Sequence, residues 1–254
     1  MTRHAGITRG ERGARFCLAF ALALAAAGCA SAPAGPDRGE VIRRIVPSAV
    51  QLRTEREGGA RRAASGIVLG SDPAAERSWI LTTRHFLDPP LGQEVWVSAR
   101  GEARPIKAVV VAQGADVDLA VIEARGIVLP PVRFREVVRL GDEVLVVAFP
   151  WGRRMTLVSG VVSQIAADGD EALEGPPRMV DASVSYGSSG GGVFDAASGE
   201  LVGIVESYRT ARVTIPETQG RVLQLPVPGE TTVIPARTIL RFLSLSGLDA
   251  LIPK

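Results

Sequence analysis

Ser78-Trp79-Ile80-Leu81-Thr82-Thr83-Arg84-His85 reads as an apolar strand with a histidine just beyond its end. The same form recurs outward from it. From Ala49 onward the chain breaks into runs of five to eight residues rich in Val, Ile and Leu, separated by clusters of Gly, Pro, Asp and Arg. Strands are expected to begin at Ala49, Ser65, Trp79, Glu94, Ile106 and Leu119, and again at Glu143, Met155, Arg178, Gly192, Leu201 and Thr232. Residues 129–139, with Pro130 and Pro131, divide the two sets. Such punctuation is the pattern of an antiparallel sandwich or barrel. Six strands and six predict an all-β fold of two six-stranded antiparallel β-barrels, at about 49–128 and about 140–235, with a cleft between them for a site. Helical spacing occurs only near the ends. Val41, Ile42 and Ile45 share a helical face before Pro47, and Ile239, Leu240 and Leu243 do so after Pro235, which predicts short terminal helices, the second at about 236–245.

With 254 residues, 46% apolar and 22% charged, the chain has a globular composition and enough length to bury a core without metal or disulfide staples. Of its 29 basic residues only Lys107 and Lys254 are lysine. Arg3, Arg9, Arg12 and Arg15 face the single Glu11 in the first 28 residues, and the remainder is close to neutral. A near-neutral body carries no electrostatic footprint for nucleic acid. The two cysteines are Cys17 and Cys29, so residues 30–254 can hold no disulfide framework. One histidine beyond His4 and no cysteine pair leave too few ligands for a metal. The glycine-rich segment at 187–191 lacks the lysine of a phosphate-binding loop, and no cofactor is expected.

The amino terminus has the layout of a secretory signal: basic residues in 1–15, then an uncharged run rich in Ala and Leu at 16–27. That run is too short to span a hydrocarbon core, which takes roughly 20 helical residues. Ala26-Ala27-Gly28-Cys29 follows and resembles the bacterial lipoprotein signal, in which the cysteine is acylated and becomes the new first residue. The expectation is a signal at 1–28, a lipid anchor on Cys29, a tether at 29–38 rich in Ala, Pro, Ser and Gly, and a folded body at 39–254. An ordinary signal cut near residues 30–34, with Cys29 incidental, is the alternative.

Three features could carry chemistry. His85 follows a strand end, where a side chain can face a cleft. Asp118 opens the apolar run Asp118-Leu119-Ala120-Val121-Ile122, where a carboxylate could equally be a turn residue. Gly187-Ser188-Ser189-Gly190-Gly191 sets a serine among glycines and could equally be a flexible hairpin loop. A serine that attacks a carbonyl needs a base to take its proton and backbone N–H donors converging on the developing oxyanion. Gly187 can take the backbone angles that aim its N–H inward, and the bare Gly190 and Gly191 let a substrate backbone approach.

The order His85, Asp118, Ser189 is similar to that of chymotrypsin-like serine proteases, and the flanking segments resemble the HtrA (Deg) subgroup of bacterial envelope proteases. Ser65-Gly66-Ile67-Val68 with Ile80-Leu81-Thr82-Thr83-Arg84-His85 resembles the family's histidine region, and Asp118-Leu119-Ala120-Val121 its aspartate region. Phe149-Pro150-Trp151-Gly152 leading to Val158-Ser159-Gly160-Val161-Val162-Ser163, then Asp181-Ala182 and Ile234-Pro235-Ala236, resemble later segments of its protease domain. Arg84, Tyr186 and Gly192 depart from the usual residues, and with about 20 residues after Pro235 the expectation is a protease domain without the family's peptide-binding PDZ domain.

The resemblance implies a trypsin-like double barrel and a serine endopeptidase acting on unfolded or partly folded envelope proteins, in the periplasm or at the cell exterior. His85 would be the general base, Asp118 would fix its tautomer, Ser189 would form the acyl-enzyme, and the N–H groups of Gly187 and Ser189 would make the oxyanion hole. The strand at 204–208 would pair with the substrate main chain. Ser183 would floor the specificity pocket and Tyr186, with Val205, Glu206 and Ser207, would shape it, which favours small aliphatic residues before the cut, while Ile204 opens the strand that pairs with the substrate. Protein or peptide substrates and, through Cys29, a membrane are the expected partners; the oligomeric state is open. The rival reading is a protease-fold module that binds or regulates without catalysis.

Overall fold

The computed structural model describes residues 37–56, 59–89, 93–166, 172–215 and 221–252. The expected signal, Cys29 and most of the expected tether lie outside them. No helix among the described residues is long and apolar enough to cross a membrane.

Helix α1 (Arg38–Ile45) precedes six strands: β1 (Ala49–Arg56), β2 (Arg61–Asp72), β3 (Arg77–Thr82), β4 (Gln93–Ser98), β5 (Ile106–Gln113) and β6 (Ala120–Arg125). They close into an antiparallel barrel in the order β1-β2-β3-β6-β5-β4, since β1 pairs with both β2 and β4. Short β7 (Val138–Arg139) follows, then β8 (Glu143–Ala148), β9 (Thr156–Ile165), short β10 (Glu174–Gly175), β11 (Pro177–Val180), β12 (Gly192–Asp195), β13 (Leu201–Ile215), β14 (Arg221–Pro235) and helix α2 (Ala236–Leu245). The second closed barrel runs β11-β14-β13-β12-β8-β9, while β7 and β10 pair separately. The expected fold of two six-stranded antiparallel barrels with short helices is the one observed.

Alternation along the strands explains why the decisive runs are apolar on successive residues. In β3, Ile80 points into the core of the first barrel, with Leu52, Val68, Val97 and Ile122, while Leu81 points the other way into a seam shared by both barrels. In β8, Val144 and Val146 fill the second barrel, and Leu145 and Val147 join the seam. Leu119, Val121, Phe194, Leu201 and Ile204 complete that seam, with Val41 and Ile45 of α1 and Ile239 and Leu243 of α2 packed onto it. A strand buried on both faces has no solvent side, so its polar alternation disappears. The residues just past β3 and just before β6 are thereby anchored at the seam, where the site forms.

The largest departure from expectation is the β13–β14 hairpin. β14 begins at Arg221, well before the expected Thr232, and β13 continues to Ile215. Only Thr231 and Thr232 of β14 are paired with β11, so its first half is one side of a two-stranded ribbon. Pro226 opposes Thr210 there and tolerates the position because a ribbon strand leaves one edge free. Its mixed polar sequence follows from exposure on both faces.

Candidate active site

His85 sits in a 3-10 turn (Arg84–Leu87) one residue past β3. Phe86 and Leu87 are buried in the first barrel and pin the turn, while the His85 side chain stays 45% exposed. Asp118 lies two residues before β6, and the buried Leu119 fixes its position. The main-chain N–H of His85 donates to Asp118 Oδ1 at 2.8 Å, and His85 Nδ1 lies 2.6 Å from Oδ2. An ionised carboxylate only accepts, so the proton of the neutral ring is on Nδ1 and Nε2 is left as a base. Arg84 accounts for itself as well: its Nη1 donates to the carbonyls of Gly114 and Ala115, both at 2.7 Å, tying the loop before Asp118 to the histidine turn.

Burial pushes the Asp118 carboxyl up, but the ring and main-chain N–H groups of His85, helped by the charges of His85 and Arg84, outweigh it and hold the group below its ordinary value of 3.8. A carboxyl depressed in the folded state adds stability that is complete above its unfolded value and is lost as pH falls through the folded one. The stability difference between the native chain and Asp118→Asn, from urea denaturation, is therefore expected to hold steady from about pH 7 to 5 and to close below 3.8. A difference that does not change with acidification would contradict this.

Ser189 belongs to the loop 187–191, in which three of the five N–H groups have partners. Ser188, Gly190 and Gly191 donate to Ser185, Val205 and Ser188 carbonyls. Gly187 and Ser189 have no N–H partner among the described residues. The carbonyl of Tyr186 accepts from the Trp151 N–H at 2.7 Å, so across the trans peptide the Gly187 N–H points away from Trp151. Gly187 holds φ at +88°, and a Cβ there would lie 2.8 Å from Trp151 N, so glycine is needed both for the angle and for the space. Two neighbouring N–H groups without partners beside a serine are what an oxyanion site requires.

Ser65 fastens this loop to the first barrel. Its hydroxyl donates to the Gly187 carbonyl at 2.9 Å and accepts from the Phe149 N–H at 2.8 Å. Its own N–H donates to the Ser189 carbonyl at 2.9 Å, and its carbonyl accepts from Thr82 Oγ1. A Cβ on Gly190 would fall 2.1 Å from that carbonyl, so the contact demands glycine. Ser65→Ala leaves the buried Gly187 carbonyl unpaired, at about 1–3 kcal/mol, frees the part-buried Phe149 N–H, and lets the Gly187 peptide turn. The expected result is a kcat lowered about 10- to 100-fold with KM little changed. Equal kcat in the variant would show that Ser65 does not position the loop.

His85 and Ser189 line one cavity of about 230 Å³. Arg62, Ala63, Ala64 and Phe86 complete its first-barrel wall, and Tyr186, Gly187, Ser207, Tyr208 and Thr210 the opposite one. No hydrogen bond joins Ser189 Oγ to the His85 ring among the described residues. Exposed Trp151 packs against Tyr186 at the rim, with ring centroids 5.3 Å apart. No cluster of three or more metal-ligating side chains occurs among the described residues.

Some expected site residues fall elsewhere. Ser183 is exposed and does not line the cavity. β11 ends at Val180, and Ala182 turns into the second-barrel core, which sends its neighbour outward. Ile204 and Val205 are buried, Ile204 pairing with Gly192 and Ile234 and Val205 bonding Gly190 and Gly191. Their main chain is therefore occupied, and the edge of β13 without a strand beside it starts at Glu206, which is half-buried. Ser207 and Tyr186 do line the cavity. The sequence alone assigns no individual role to Ser65 or Arg62; a serine in the buried stretch Ala64-Ser65-Gly66-Ile67 was the available signal for the first.

The profile of the trypsin-like peptidase domain matches residues 64–204, more than half of the chain. The serine endoprotease DegS of Escherichia coli K12 is 27% identical over 177 residues, which cover 64% of this chain and 46% of that protein. A probable periplasmic serine protease do/HhoA-like of Haemophilus influenzae is 27% identical over 157 residues, 60% of this chain and 32% of that protein. The chain thus spans less than half the length of these relatives. Among solved structures, the HtrA-type protease AlgW with a tripeptide superposes with a TM-score of 0.65 at 24% identity, over 85% of this chain and 64% of that one, and so shares the fold. With its double barrel, its HtrA-type relatives and a profile match that spans both the histidine and the serine segments, this chain belongs to the trypsin-like peptidase domain family.

Proposed function

We propose that this protein is a serine endopeptidase of HtrA type that cuts unfolded or partly folded polypeptides through an acyl-enzyme on Ser189. The observation that carries the reading is the double contact of His85 with Asp118 in the cavity that Ser189 shares. Ser189 Oγ attacks the scissile carbonyl while Nε2 of His85 takes its proton, and the imidazolium is steadied by Asp118. The tetrahedral oxyanion receives the N–H groups of Gly187 and Ser189. Collapse breaks the C–N bond, with the His85 proton going to the leaving amine, and a water activated by the same nitrogen then hydrolyses the ester. The substrate chain before the cut adds to the β13 edge from Glu206 to Tyr208.

One observation favours a silent binding module: Ser189 and His85 are not bonded to each other among the described residues. Catalytic contacts are often long without substrate and tighten on binding. The deciding experiment is digestion of a denatured protein library with peptides identified by mass spectrometry. New internal termini that depend on Ser189 support the peptidase, and an uncut library supports the silent module.

The proposed setting is the bacterial envelope, with a lipid anchor on Cys29. Support comes from the basic, apolar and Ala26-Ala27-Gly28-Cys29 order of the amino terminus and from the word periplasmic in the name of a relative. The native protein is expected in the detergent phase and Cys29→Ser in the aqueous phase or unprocessed. Stable retention takes more than one acyl chain. A wild type recovered free of membrane would contradict the anchor.

A further inference from the structure

Two guanidinium groups converge beside His85 on the main-chain carbonyl of Asp88, whose own carboxylate makes no ion pair with either. Nη1 of Arg62 donates to the carbonyl of His85 at 3.0 Å and to that of Asp88 at 2.6 Å. Nη2 of Arg56 donates to the same Asp88 carbonyl. Donors sharing one oxygen stand within about 6 Å of each other, so two positive charges are gathered at a single neutral acceptor. Among the described residues no carboxylate oxygen lies within 4.0 Å of either. Neighbouring Arg53 and Arg61, by contrast, both pair with Glu55. Nε and Nη2 of Arg62 make no hydrogen bond among the described residues, and that pair of donors is the fork that matches a carboxylate.

Placement decides what this fork reads. Arg62 lines the cavity together with His85 and Ser189, on the wall facing β13. The free β13 edge from Glu206 takes the substrate before the cut, so the residues after the cut leave across the first-barrel wall at 62–64. We propose that Arg62, supported by Arg56, is an acid-reading subsite for the leaving half of the substrate, selecting Asp or Glu within the first three residues after the scissile bond. Glu206, which does not line the cavity, is the one described carboxylate on the free β13 edge. This inference rests on the peptidase reading above.

The test uses the full chain and internally quenched peptides with amidated ends. They share one acyl half and carry Glu, Gln or Lys at the second position after the cut. Wild type is expected to show kcat/KM about tenfold higher for Glu than for Lys at low salt, with the ratio shrinking as salt is added. Arg62→Gln should bring the ratio within about twofold, Arg62→Lys should keep part of it, and Arg62→Glu should invert it. A wild-type ratio near one, or a Glu preference that survives Arg62→Glu, overturns the subsite. Should the charge reversal unfold in a thermal melt, Arg62→Gln answers alone. The same peptides are titrated against Ser189→Ala by fluorescence anisotropy, where the Glu-to-Lys affinity ratio reads the subsite without catalysis. Retained affinity ratio with no hydrolysis by wild type counts against the peptidase and for the subsite; hydrolysis without any charge ratio does the reverse. A further peptide with Gln at that position and a free terminal carboxylate distinguishes a chain end from a side chain as the source of the acid.

Discussion

Alanine in place of Ser189 is expected to lower peptide hydrolysis by about 10⁵- to 10⁶-fold and to leave the fold intact. The hydroxyl is the proposed nucleophile; Ser207, Tyr208 and Thr210 also line the cavity, but Ser207 is bonded to Thr232 and none of the three belongs to the loop that carries the unpartnered N–H groups of Gly187 and Ser189. With Nδ1 turned to Asp118, His85 keeps Nε2 as its free nitrogen in the cavity that Ser189 shares. Ser189 is half-buried at the cavity wall, and its hydroxyl makes no hydrogen bond among the described residues, so its loss removes no packing and leaves no buried group unpaired. A residual rate well above that of water is compatible with this role, because the Gly187 and Ser189 N–H groups still bind the oxyanion. The measurement is kcat/KM on a quenched peptide beside a thermal melt. A variant that keeps native kcat/KM would remove Ser189 from the chemistry.

Asp118→Asn is the second large effect, at about 10⁴-fold in kcat. Both Asp118 oxygens accept from His85, one from the main chain and one from the ring. An amide can reproduce only one acceptor and presents an NH₂ group to the other position. If the amide oxygen keeps the main-chain bond, its NH₂ faces Nδ1 and stabilises the tautomer that has no proton there. Nε2 is then protonated and cannot accept from Ser189. Raising the pH does not restore the neutral base, because the fault lies in the tautomer and not in the charge. The expected signature is therefore a kcat lowered by the same factor across the neutral range, with KM nearly unchanged. A loss of only severalfold would mean that the carboxylate serves the turn at Asp118 and not the histidine.

The parts of the structure legible in the sequence are those where one physical demand dominates. Ile80 and Leu81 are apolar because both faces of β3 are buried, and that alone reveals a strand between two cores. Glycines at 187 and 190 are forced by positive φ and by backbone 2.1 to 2.8 Å from the absent Cβ, so they mark the serine loop. The β13–β14 ribbon was not legible in full, since residues exposed on both faces keep no alternation and Pro226 reads as a stop. Ser183 misled because counting back from the serine says nothing of which way a side chain turns after β11 ends. Ser65 was visible as part of a motif, but its four bonds to Gly187, Phe149, Ser189 and Thr82 come from segments 17 to 124 positions away and exist only in the fold. Arg62 lay hidden among 29 basic residues, and only its place beside His85 separates it from them.

The most direct test of the central claim is covalent. The full chain is treated with a fluorophosphonate, its intact mass is recorded, and the modified residue is mapped by fragmentation. On the proposed mechanism, a base at Nε2 of His85 and the N–H groups of Gly187 and Ser189 activate one hydroxyl among all the serines of the chain. The expected result is a single adduct, on Ser189, that is absent from Ser189→Ala and strongly slowed in Asp118→Asn. No adduct on the folded wild type, or an adduct that persists in Ser189→Ala, would contradict the acyl-enzyme mechanism.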